Sequence, residues 1–154
     1  MTEAECKVET FKHIERVRYY LRIITDKLTS RGISHDKTKL ESPEVELFTD
    51  FTPRLAELKY FSEEYKESLA GLKPALDHHY AHSRHHPEHF SKGINDMNLV
   101  DIMEMLCDWK AAGERQRDGN LLKSIELNAK RFGYDDQLKQ IFINTAKMLD
   151  EVET

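Results

Sequence analysis

Six of the eight histidines of this chain fall in the run His78-His79-Tyr80-Ala81-His82-Ser83-Arg84-His85-His86-Pro87-Glu88-His89. Neutral imidazole is a good ligand for divalent transition metals, and it is also the side chain that titrates near neutrality. If the first half of the run is helical, His78 and His82 share a face while His79 points to a neighbouring one, so the six do not all serve one centre. A metal reading selects His79, His85 and His86 and leaves His78, His82 and His89 either supporting the ligands from behind or exposed. A solvated, pH-sensitive patch is the competing reading.

Three further elements carry suitable groups. His35-Asp36 sets an imidazole beside a carboxylate, a pair able to bind one divalent ion; its plainer reading is a turn in which Asp36 caps a helix and His35 faces solvent. Asp101, Glu104 and Asp108 stand at i, i+3 and i+7, on one face of an otherwise apolar helix. That face is either the solvent side or an inward side where charges persist only when paired or metal-bound, and Asp108 is its best ligand candidate. His13 lies next to an apolar stripe, where a lone histidine is more often a satisfied or exposed residue than a ligand; it gains weight only from the others.

The elements that must position these groups read as helices. Phe11, Ile14, Val17, Leu21, Ile24 and Leu28 recur at steps of three and four, which predicts a first long helix ending near Gly32. Ser42-Pro43-Glu44 predicts the start of a short helix through about Phe51, interrupted at Thr52-Pro53. Helices are then expected at about 54–60, 62–71 and 73–83. The segment from Ser83 to Asn95, with Pro87 and Gly93, reads as the main irregular loop. Asn98 is expected to cap a mostly buried helix running to about Arg117. Helices at about 120–132, ending at Gly133, and 135–151, capped by Asp135, complete an all-α chain. No strand signal, repeat or linker is visible, so residues 1–154 are expected to form a single domain.

The bulk numbers narrow the partners. The chain carries 28 acidic and 23 basic side chains in 154 residues, a formal charge of -5, and has no basic surplus to hold a nucleic-acid backbone. No stretch approaches the roughly 20 apolar residues of a membrane span, and no secretory leader pattern opens the chain. A cytoplasmic location is expected. Cys6 and Cys107 are far apart and form no Cys-x-x-Cys arrangement, so both are read as reduced thiols.

Taken in order, His13, His35-Asp36, His79, His85-His86 and Asp108 resemble the ligand series of the HD-domain metal-dependent phosphohydrolase superfamily. His35-Asp36-Lys37-Thr38-Lys39 is similar to the His-Asp-x-Gly-Lys element of its HD-GYP branch, and His85-His86-Pro87-Glu88 to that branch's His-His-Glu. Thr38 replaces the glycine, no Gly-Tyr-Pro follows, and cyclic dinucleotide specificity is not carried over. Residues 10–135 also resemble a little-characterised family of bacterial and phage proteins marked by His-His-Pro-Glu and by Glu-Met-Leu-Cys-Asp-Trp, here Glu104 to Trp109.

The resemblance implies an HD-like bundle of about six to eight helices holding one or two divalent ions (Mn, Fe, Co or Zn) on His13, His35, Asp36, His79, His85, His86 and Asp108. It implies hydrolysis of a small phosphorylated metabolite or nucleotide. Lys39 and Arg84 would contact the phosphate, and Glu104 would orient a water or a ligand histidine. A non-catalytic metal- or nucleotide-binding regulator with the same fold is the alternative, and a homodimer is a further expectation.

Overall fold

In the computed structural model, residues 1–57, 63–115 and 119–152 are described. Among them are six α-helices and three 3-10 turns, with no strand. The chain divides into two units, Met1–His35 and Asp36–Thr154. Among the described residues no helix is long and apolar enough to cross a membrane.

The first unit is one helix, α1 (Glu3–Ser34). It starts earlier than its apolar stripe because Thr2 and Glu5 close a capping box: Thr2 Oγ1 accepts from the Glu5 amide, and Glu5 Oε2 accepts from the Thr2 amide at 2.7 Å. Gly32 does not end it. The turn comes at His35, whose extended backbone stops the helix.

The second unit opens with a 3-10 turn, Lys37–Leu40, followed by α2 (Glu44–Glu57) and α3 (Glu63–His82), which pack along each other. Two predicted breaks are absent. Thr52-Pro53 does not interrupt α2, which carries Pro53 inside it, and the expected helices 62–71 and 73–83 are one helix with Pro74 inside. Each proline forfeits one backbone hydrogen bond, and α2 and α3, packed on each other, each continue past theirs. Gly71 is a packing residue, because a Cβ there would collide with the ring of Phe51 on α2. The expected helix 54–60 is the end of α2 as far as Glu57, and its remainder lies outside the described residues.

After α3 the chain is irregular, with 3-10 turns at Pro87–His89 and Gly93–Asp96. Asn98 then caps α4 (Leu99–Glu114), its Oδ1 accepting from the amides of Val100 and Asp101. Helix α5 (Leu121–Phe132) ends at Gly133, whose φ of 69° is the left-handed conformation that favours glycine. Asp135 caps α6 (Asp136–Val152) through the Leu138 amide. Met105 and Leu106 of α4, Ile125 of α5, and Phe142 and Ala146 of α6 form the buried core. Trp109 closes it, stacked parallel to Phe132 and edge-on to Phe142.

Candidate metal centre

The site assembles where the end of α3 and the following loop meet the turn before α2 and one face of α4. Asp36 opens the second unit with φ 54°, the one non-glycine residue at positive φ among those described. Aspartate tolerates this region better than most residues, yet a left-handed backbone still costs on the order of 1 kcal/mol. Its carboxylate makes no cap bond to the 3-10 turn behind it. Instead Oδ2 accepts from Lys39 Nζ at 2.7 Å, and Oδ1 lies 3.3 Å from His79 Nε2 and 3.4 Å from His85 Nε2. Burial alone would raise its pKa; the imidazoles of His79 and His85 and the Lys39 ammonium beside it outweigh that and hold it far below the usual carboxylate range.

His79, on the last turn of α3, is 1% exposed. Its Nε2 lies 3.1 Å from His86 Nε2, and His79, His85 and His86 each offer a nitrogen within 4.8 Å of the others. Asp36 and Asp108 likewise offer oxygens within 4.8 Å of one another. Bonds of about 2.0–2.2 Å to one ion place neighbouring ligand atoms about 2.8–3.6 Å apart in octahedral or tetrahedral geometry. The separations of 3.1, 3.3 and 3.4 Å among Asp36 Oδ1 and the Nε2 atoms of His79, His85 and His86 fall in that range. The donor set therefore fits a divalent transition metal, with imidazole nitrogens and a carboxylate oxygen at ligand spacing. His86 supplies a neutral imidazole: burial, then repulsion from His85 and His79, push its pKa down to about 3.

Behind these atoms stand two buried carboxylates. Glu104 Oε1 lies 3.1 Å from His85 Nδ1. Glu44, the first residue of α2 and 0% exposed, accepts from His79 Nδ1 at 2.9 Å and from His78 Nδ1 at 2.7 Å. Thr38 Oγ1 and Ser83 Oγ lie 3.2 and 3.3 Å from His79 Nδ1. Thr38 and Ser83 are thus part of the surroundings of His79.

The carboxylate face of α4 turns inward: Asp101 is 0% exposed, Glu104 is buried and Asp108 is half-buried. Asp101 is occupied structurally. It accepts from Arg84 Nε at 3.0 Å and Arg84 Nη2 at 2.9 Å, and from the Asn98 amide that completes the capping box. Arg84 thus spends Nε and Nη2 on Asp101, and its Nη1 takes no part in that pair.

His13 needs a correction. It and His35 belong to the same unit, separated by roughly six turns of α1, on the order of 33 Å of rise, so they do not meet on one ion within a chain. His35 itself precedes Asp36 directly. The other histidines have local partners: the rings of His78 and His82 stack at 4.2 Å, His82 Nδ1 donates to the His78 carbonyl, and His89 Nδ1 to that of Tyr80. Glu88 pairs with Arg131 of α5 at 2.6 Å.

Glu44, Thr38 and Ser83 were not among the expected site residues. Ser42-Pro43-Glu44 reads only as a helix start, and its contact lies 35 residues along the chain, beyond any spacing rule.

A family model matches residues 2–152. The chain belongs to DUF5662. This is a family of unknown function, so membership adds no activity to the geometry. No curated protein and no solved structure matches the chain.

Proposed function

We propose that this DUF5662 protein is a cytoplasmic, metal-dependent phosphohydrolase of the HD type, acting on a small phosphorylated metabolite or nucleotide. The observation that carries the reading is the spacing of Asp36 Oδ1 and the Nε2 atoms of His79, His85 and His86, which matches the ligand separations around a single divalent ion. Asp108 lies close enough to Asp36 to serve the same ion or a second one. When bound, an ion of the Mn, Fe, Co or Zn type supplies a water that ionises near neutral pH and positive charge for the phosphoryl oxygens.

The chain's own residues do the rest. Lys39, held at Asp36, places a cation at the edge of the centre where a phosphate oxygen would sit. Glu104 holds His85 by Nδ1 and leaves Nε2 turned to the centre. Arg84 straps the loop to α4 and keeps His85 and His86 in register with Asp36. The net negative charge of -5 favours a small anion drawn to a local cationic site over a polymer.

The test is elemental analysis of untagged protein, wild type beside Asp36→Asn, which keeps a side chain that tolerates positive φ. About one or two transition-metal ions per wild-type chain, absent from the variant, together with turnover of p-nitrophenyl phosphate or a nucleotide, is the expected result. Metal without turnover on any phosphoester would leave a metal-binding regulator. No metal, even after reconstitution with manganese, iron, cobalt or zinc, would overturn the proposal.

A further inference from the structure

Among the described residues of the second unit two carboxylates are completely enclosed, Asp101 and Glu44. Asp101 is accounted for by Arg84 and the α4 cap. Glu44 has no such structural duty in view: its two oxygens go to two imidazoles, 2.7 Å from His78 Nδ1 and 2.9 Å from His79 Nδ1. Burying a carboxylate is expensive unless its partners compensate. An anion at His79 Nδ1 matters because a histidine has two nitrogens, and the hydrogen bond made by one decides what the other can do. On the far side of the same ring, Nε2 faces Asp36 Oδ1 and His86 Nε2. Glu104 stands in the same relation to His85, with Nδ1 towards the glutamate and Nε2 towards Asp36.

We infer that Glu44 is a positioning residue of the centre: it holds the proton of His79 on Nδ1 and so presents the Nε2 lone pair to a metal ion. The inference rests on the metal reading above and adds to it a residue at the head of another helix. His78 takes the second oxygen of Glu44 and stacks on His82, so it steadies the carboxylate without facing the ion.

Cobalt(II) titration of metal-free wild type, Glu44→Gln, His78→Gln and Leu72→Ala, read by visible absorption and calorimetry, tests this. Glutamine at 44 can turn its amide donor to Nδ1 and move the proton to Nε2, so binding is expected to weaken about 10- to 100-fold. His78→Gln, which leaves Glu44 its bond to His79, is expected to weaken binding less than Glu44→Gln does, and Leu72→Ala, which removes buried apolar volume from α3, to stay within about threefold of wild type. Glu44→Gln binding as tightly as wild type, while Asp36→Asn binds nothing, would overturn the role of Glu44 and leave the metal centre standing. If wild type binds neither cobalt nor zinc, the centre itself fails and this inference with it.

Should Glu44→Gln not fold, long-range proton–nitrogen correlation spectra of the zinc-loaded wild type decide. The expected state has the His79 proton on Nδ1 and zinc on Nε2. A proton on Nε2 would overturn the inference.

Discussion

Asp36 combines a chemical duty with an awkward backbone. At φ 54°, glycine would be more comfortable than alanine by about 1 kcal/mol. We therefore expect Asp36→Gly and Asp36→Ala both to lose bound metal, with the glycine variant melting higher; equal melting temperatures would mean the backbone conformation carries no penalty. His86 makes the metal-free protein acid-sensitive. Its folded pKa of about 3 lies below the ordinary 6.5, so between those values the unfolded chain takes up a proton that the folded one refuses. Stability then falls as pH is lowered through this window, by up to about 1.4 kcal/mol per pH unit. Asp36 and Glu44 act in the same direction at lower pH: their depressed pKa values contribute stability above the ordinary carboxylate range that is lost as acid protonates them. Urea melts from pH 7 to 4 should show a shallower slope for His86→Gln than for wild type; parallel curves would argue against a buried neutral His86. The metal-ligand candidates His79, His85 and His86 were legible as a cluster because imidazoles are scarce elsewhere in the chain. Glu44 was not, because a carboxylate at a helix start already has an ordinary explanation.

At the scale of elements, the fold depends on a few junctions that spacing alone identifies unevenly. The caps at Asn98 and Asp135 and the stop at Gly133 were readable, since each is a local contract between a side chain or backbone conformation and the next turn. The breaks expected at Pro53 and just before Pro74 were misleading, since what decides the effect of such a residue is the neighbouring helix. Substituting Gly71 by alanine should cost about 1 kcal/mol or more, because the Phe51 ring must move aside; an unchanged denaturation midpoint would show that the ring yields freely. Asp101→Asn keeps the shape but weakens the Arg84 pair and the capping box together. A loss of about 2 kcal/mol is expected in chemical denaturation, with metal binding weakened as well because His85 follows Arg84 in the chain. Retained metal affinity would show that the strap serves α4 alone.

At the scale of the molecule, all-helical character was plain from the periodicity, whereas the division into Met1–His35 and the rest was not. The period of an apolar stripe says that a helix has a face to cover and does not say with what. Within the second unit the candidate ligands come from the turn before α2, the end of α3, the loop and α4, so an ion would tie together segments more than forty residues apart in sequence. An ion that binds only the folded chain stabilises it by about 2.7 kcal/mol at a hundred times its dissociation constant. Thermal melts should accordingly rise on adding manganese, cobalt or zinc to wild type and stay put for Asp36→Asn. An upward shift of equal size in the variant would place the ion elsewhere. A protein pinned in this way would owe part of its cellular lifetime to metal supply: when the ion is scarce, the unpinned chain opens more often and is cleared by proteases. Its abundance would then track the cell's transition-metal status without any regulator acting on its synthesis.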